Sequence, residues 1–133
     1  MGEPLFHLAV RAEWEAARAG GNGYRRSTID RSLADEGFIH CSFASQVQGV
    51  AERFYQGRRD LVLLVIDASL IPCPLKVEGG FPHIYGPLPI GAVVAAEPVP
   101  MGSDGAAQVA PLLERWAGGI DNPGRRFPGS PAG

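Results

Sequence analysis

Residues 38–66 read FIHCSFASQVQGVAERFYQGRRDLVLLVI, and this stretch decides the fold class. Phe38 to Phe43 is a strand by its alternation. Phe38, His40 and Ser42 fall on one face, and Ile39, Cys41 and Phe43 on the other. Ser45 is placed to cap a helix running to about Tyr55, with Val47, Val50, Ala51 and Phe54 as its buried stripe and Gly57 as its stop. Leu61 to Ile66 is six apolar residues in succession, the pattern of a strand covered on both faces. Strand, helix and buried strand in that order predict an α+β domain.

Toward the N-terminus, Leu5 to Val10 reads as a first strand and Ala12 to Ala19 as a short helix stopped by Gly20 and Gly21. Asn22 to Ser32 is polar and reads as a loop, with a short strand at Tyr24 to Arg26. Leu33 to Glu36 is one helical turn closed by Gly37. Toward the C-terminus, Asp67 to Pro74 is a turn or crossover and Leu75 to Glu78 a short strand. Phe81 to Pro89 is a proline-stiffened loop carrying at most one short strand. Ala92 to Val99 is a last strand, and Ala106 to Trp116 a terminal helix. The expected organisation is a core over residues 1–101, an appended helical segment over 102–117, and a disordered, Gly- and Pro-rich tail over 118–133.

With 133 residues the chain fits one domain with a core of its own. Its formal net charge of −2 provides no field for duplex nucleic acid or an acidic membrane. No apolar run approaches the ~18 residues that span a bilayer. Cys41 and Cys73 are too few for a disulfide scaffold, and the expected location is the cytoplasm. The residues leave the oligomeric state open.

The chemistry centres on the three histidines, His7, His40 and His83. Each sits in a short apolar or Gly- and Pro-marked segment, where an imidazole needs a partner, because an unpaired buried polar group costs about 1–3 kcal/mol. Three imidazoles can hold zinc, but these lie 33 and 43 residues apart, with no helical or hairpin spacing, so no metal is expected. Cys41 neighbours His40 but faces the other side of the strand and reads as core. Ser42 shares the face of His40. Phe81, His83 and Tyr85 sit together on the rigid segment and are candidates to line a pocket. Arg25 and Arg26, beside Tyr24, are candidates for phosphate or carboxylate.

The segments Gly37-Phe38-Ile39-His40-Cys41-Ser42 and Phe81-Pro82-His83-Ile84-Tyr85-Gly86-Pro87-Leu88, with the first-strand histidine and Trp14, resemble the family known as domain of unknown function 952, over about Leu5 to Val99. That family in turn looks like a remote relative of the ADP-ribosyltransferase-like superfamily. The resemblance implies a small split two-sheet α+β domain with flanking helices and a cleft for NAD as substrate. It implies that His7 holds a ribose, that His40 and Ser42 line the nicotinamide side, and that Tyr85 stacks on a ring. Phe38-Ile39-His40-Cys41-Ser42 is similar to the His-x-His-Leu-Ser strand of the RNA 2′-phosphotransferase branch. Transferases of the superfamily also use a late glutamate. Glu78 and Glu97 are the glutamates in that half of the domain, and neither sits in a recognisable motif. The leading expectation is a small-molecule or nucleotide ligand and a transferase of ADP-ribose or phosphoribose. The rivals are a non-catalytic module for a small anionic metabolite and a hydrolase or cyclase with a histidine acid–base pair.

Overall fold

The computed structural model describes residues 4–21, 23–28, 31–103, 105 and 107–116. Its strands are β1 (Leu5–Val10), β2 (Arg26–Thr28), β3 (Arg31–Ser32), β4 (Ile39–His40), β5 (Leu61–Ile66), β6 (Leu75–Glu78), β7 (Phe81–Ile84) and β8 (Val93–Pro98). Its helices are α1 (Arg11–Gly20), α2 (Leu33–Glu36), α3 (Val47–Phe54) and α4 (Ala110–Glu114).

The strands form two antiparallel three-stranded sheets, ordered β1-β5-β8 and β4-β7-β6, and an antiparallel two-stranded sheet of β2 and β3. β5 is the middle strand of the first sheet, and all six of its residues are buried. Its alternation serves two cores. Leu61, Leu63 and Val65 pack with Phe6, Leu8, Val47, Ala51 and Trp116. Val62, Leu64 and Ile66 pack with Trp14, Tyr24, Ile39, Cys41 and Ile84. Burying six such side chains on both faces of one strand contributes roughly 1.5–3 kcal/mol each.

Among the described residues, one isolated β-bridge joins the two three-stranded sheets. Phe6 and Ser42 exchange backbone hydrogen bonds, Phe6 N to Ser42 O at 2.9 Å and Ser42 N to Phe6 O at 2.8 Å. The architecture is the expected α+β class, with several local differences. The strand expected over 38–43 pairs only at Ile39 and His40, plus the Ser42 bridge, because residues beyond His40 turn to join the first sheet. Ser45 does not cap α3. A 3₁₀ turn over Ala44–Gln46 precedes that helix, and the Gln46 side chain accepts the Phe43 N–H at 2.8 Å. Phe54 is exposed rather than part of the buried stripe.

The polar loop contains β2 and β3, and its Tyr24 is buried through a bridge to Leu88. Phe81 to Pro89 holds one strand, β7, as expected, but as the centre of its sheet. The terminal helix is shorter than expected, Ala110–Glu114, with Val109, Leu112 and Trp116 inside the first core cluster. The expected tail over 118–133 lies outside the described residues.

Candidate functional site

The sheet β4-β7-β6 has two chemically different faces, and the pairing decides which side chains share them. His40 stands opposite His83, and His83 opposite Lys76. Phe81 stands opposite Glu78. Opposed residues in an antiparallel pair share a face, and alternation carries it along each strand. One face therefore carries Phe38, His40 and Ser42 from β4 and its flanks, Phe81, His83 and Tyr85 from β7 and its end, and Lys76 and Glu78 from β6. The other face presents Ile39, Cys41 and Ile84 to the core.

His83 and His40 lie 5.1 Å apart, ring centre to ring centre. His83 is nearly buried, and its Nδ1–H donates to Glu78 Oε1 at 2.8 Å. The Tyr85 hydroxyl donates to the same oxygen. These two hydrogen bonds, Tyr85's first, hold the Glu78 carboxyl below its ordinary value, while the bond to Glu78 pushes the Tyr85 phenol up. A carboxylate that accepts the Nδ1 proton fixes the tautomer of the neutral ring and leaves Nε2 as its acceptor nitrogen. The Phe38 ring stacks on His83 at 4.0 Å and 16°, and Phe81 meets His40 edge-on at 5.0 Å.

His40 is half-buried. Burial lowers its pKa, and the neighbouring His83 adds to the effect. Glu36 of α2 acts weakly in the opposite direction. His40 also borders a small cavity of about 50 Å³ with His7, Ser27, Thr28, Ser42, Val50 and Phe54. A second, open groove of about 520 Å³ runs along Arg18, Pro72, Cys73, Pro87 and Ile90 and contains none of the three histidines.

His7 reaches the same neighbourhood from β1, but both of its nitrogens are used within the protein. Nδ1–H donates to the His40 carbonyl at 2.7 Å, which leaves Nε2 to accept the Tyr24 hydroxyl at 3.0 Å. Burial depresses its pKa to about 4, so the ring is neutral at physiological pH, and burial raises the Tyr24 phenol. The geometry thus gives His7 a positioning role: it ties β1 to the backbone of His40. Ser42 is buried and lines the cavity.

Arg26 lies near Glu13 of α1, with Nε 3.3 Å from Oε2. That carboxylate, rather than a ligand, faces it. Arg25 is exposed beside it, its carbonyl accepting the Leu33 N–H at 2.8 Å. Neither arginine lines the cavity beside His40. Cys41 is fully buried, its thiol pushed up by burial, and both cysteines are free. No group of three His, Cys, Asp or Glu side chains that could share a metal ion occurs among the described residues. No described helix is long and apolar enough to cross a membrane.

The structure therefore brings His40, Ser42, Phe81, His83 and Tyr85 onto one face and sets His7 behind it. It adds Phe38, Lys76 and Glu78, which the sequence reading did not select. Their signal was Gly79-Gly80, a two-residue hairpin turn between β6 and β7 in which both glycines have positive φ, 61° and 86°. Once the turn is read, Glu78 pairs with Phe81, and Lys76 must fall beside His83. Glu97, the other late glutamate, serves elsewhere: it accepts from Trp116 Nε1 at 2.7 Å and Arg115 Nη1 at 2.8 Å.

Comparison with known proteins finds solved structures similar to this chain. The crystal structure of protein CC0527 from Caulobacter crescentus is similar at 37% identity over 84% of this chain and 98% of that one, with a TM-score of 0.74. A double mutant of the same protein gives a TM-score of 0.73. Its solution NMR structure gives 35% identity, coverage of 82% and 95%, and a TM-score of 0.68. No curated protein matches the sequence. The family model described as protein of unknown function (DUF952) matches residues 8–96, and the chain belongs to that family.

Proposed function

We propose that this protein is a small nucleotide-binding enzyme whose site is the face of β4-β7-β6 bearing His40, His83 and Glu78, with NAD or ADP-ribose as the first ligands to test. The observation that carries the reading is the His83 Nδ1–Glu78 Oε1 hydrogen bond beside His40. It provides one imidazole held in a fixed tautomer and a second whose pKa is lowered. Two imidazoles 5.1 Å apart, one of them hydrogen-bonded to a carboxylate, can divide the acid and base roles of such catalysis. Phe38, Phe81 and Tyr85 supply aromatic surface for a base or nicotinamide ring.

The likeness to the ADP-ribosyltransferase-like superfamily supports ADP-ribosyl or phosphoribose transfer as the reaction class. Glu78 is the late glutamate that lies at the histidines, and it would stabilise a developing ribosyl cation. Ser42 shapes the pocket, and His7 acts through the backbone of His40. Fold likeness alone does not establish chemistry, so the test is direct. Calorimetric titration of the protein with NAD, ADP-ribose and nicotinamide should give saturable binding that His40→Ala and His83→Ala remove. Heat that is absent for all three, or unchanged in both variants, sinks the reading.

One observation favours a second reading, a non-catalytic module for a small anionic metabolite. The enclosed space beside His40 and Ser42 is only about 50 Å³, far below the ~300–1,000 Å³ of pockets that enclose drug-sized ligands. Saturable binding of a small anion such as inorganic phosphate, with no heat from NAD, ADP-ribose or nicotinamide, would favour this module.

A further inference from the structure

The register across β4, β7 and β6 sets three titratable side chains in one transverse row: His40, then His83, then Lys76. Lys76 is exposed, and its Nζ sits 5.1 Å from the centre of the Tyr85 ring. It makes no salt bridge with any described residue, though its charge reaches the Glu78 carboxylate on the same strand, whose Oε1 accepts from His83 and Tyr85. The expected anion-holding residues Arg25 and Arg26 lie off this row, with Arg26 facing Glu13. The cation available beside the imidazoles is therefore Lys76.

We propose that the His40–His83–Lys76 row processes phosphoesters, with a 2′,3′-cyclic phosphodiester of ribose as its substrate class. This rests on the reading of the same face as a nucleotide site. The nucleotide base lies against Phe38, Phe81 or Tyr85, and Lys76 holds the non-bridging phosphoryl oxygens as a point charge.

A water molecule supplies the nucleophile. Neutral His40 takes one of its protons as the water oxygen forms a new bond to phosphorus. The bond from phosphorus to the 2′ or 3′ ribose oxygen breaks, and its electron pair stays on that oxygen. His83, doubly protonated at that stage, gives its Nε2 proton to that oxygen while Glu78 keeps the hydrogen bond from Nδ1. The product is a phosphate monoester beside a free hydroxyl, and solvent carries the proton from His40 back to His83. Nothing is oxidised or reduced, and no covalent enzyme intermediate is needed. This accords with Cys41, which is buried and turned to the core.

The assignment of base and acid follows from the surroundings of each ring. His40 faces His83 from β7 and Glu36 from α2, and its proton affinity is reduced. His83 faces His40 from β4 and Glu78 and Lys76 from β6, and the Glu78 carboxylate takes its Nδ1 proton in a hydrogen bond.

The test uses the full chain, adenosine 2′,3′-cyclic phosphate as substrate and adenosine 2′-phosphate as binding probe. The expected result is ring opening, seen by phosphorus NMR, with a bell-shaped pH dependence. His40→Ala and His83→Ala each lower kcat by about a hundredfold or more. Lys76→Ala raises KM by about tenfold, the worth of a charged hydrogen bond, and Lys76→Arg recovers most of it. Binding of adenosine 2′-phosphate without ring opening overturns the phosphoester inference and leaves the nucleotide reading intact. Ring opening with an unchanged KM in Lys76→Ala also overturns the row. Binding of neither adenosine 2′-phosphate nor NAD overturns this inference and the nucleotide reading together.

Discussion

Glu78 and His83 are five residues apart on the two arms of one hairpin, and the Glu78 carboxylate accepts the His83 Nδ1 proton at 2.8 Å. The contact crosses the turn at Gly79 and Gly80, so its geometry is set by the strand pairing rather than by loop conformation. Two consequences are testable at this pair, and others follow from the residues that support it.

Glu78→Gln keeps the size of the side chain but removes the charge. Turnover at the site should fall by about a hundredfold, while Tyr85→Phe, which removes one of the two donors to Glu78, should cost less. Steady-state kinetics on both variants, with melting temperatures as a control on folding, checks the order. The Glu78 carboxyl is held below its ordinary value. Its contribution is therefore fully present above the unfolded carboxylate pKa and is lost as pH falls through the lowered folded value.

His7 sets a pH dependence of opposite origin. Its folded pKa is about 4 against an ordinary 6.5, because burial disfavours the imidazolium. The unfolded chain binds the proton first, so stability is complete above pH 6.5 and declines as pH falls toward 4. The decline from this one residue is on the order of 3 kcal/mol. Urea unfolding at pH 7, 5.5 and 4.5 should show it, and His7→Gln should flatten the slope at the cost of lower stability at pH 7.

Tyr24→Phe leaves the His7 Nε2 without the donor it has at 3.0 Å. Both residues are buried, so the loss should be about 1–3 kcal/mol. Chemical denaturation at pH 7 measures it. A change below about 0.5 kcal/mol, the usual range of surface substitutions, would contradict the pairing.

Gly86 is required by a close approach rather than by its backbone angles. A Cβ there would lie 2.8 Å from Cys73 Cβ and 2.9 Å from its Sγ. Gly86→Ala should destabilise by about 1–3 kcal/mol through overpacking. Cys73→Gly removes both clashing atoms, so the double variant should recover part of the loss in a double-mutant cycle.

Glu97 is buried at the C-terminal end of β8, accepting from Trp116 Nε1 and Arg115 Nη1. Glu97→Ala should cost about 1.5–3 kcal/mol and free the C-terminal turn. Trp116 fluorescence should then shift to the red under native conditions.

How much was legible in the sequence can be argued from single residues. The six apolar residues of β5 and the alternation at Phe38-Ile39-His40-Cys41-Ser42 located the core strand and the histidine face, because both patterns are local. The placement of Cys41 away from His40 followed from the same period. Glu78 is legible only through the register of β6 against β7, which the Gly79-Gly80 turn sets. Tyr24 reads as the start of a short strand in a polar segment, and its neighbours Arg25 and Arg26 give no sign of burial. Only the non-local bridge to Leu88 buries it. Ser45 has the chemistry of a cap, but it falls inside a 3₁₀ turn, whose N-cap N–H, that of Phe43, is taken by the Gln46 side chain. Phe54 fits the helical period, yet the stripe is narrower than the period suggests, and its ring is left beside the small cavity.

β5 carries no polar side chain, and this places the burden of alignment on its neighbours. A strand of six interchangeable apolar residues can slide past a partner by one step without exposing anything costly. His7 removes that freedom. In the observed register it faces Leu64 on the side where Tyr24 and the His40 carbonyl await its two nitrogens. One step of slippage would turn the imidazole into the other cluster, among Leu63, Val65 and Val47, with neither partner in reach. The first-strand histidine thus acts as an alignment key. It makes one of several near-equivalent pairings the correct one, and in doing so it fixes where the second sheet, and His40 with it, comes to rest.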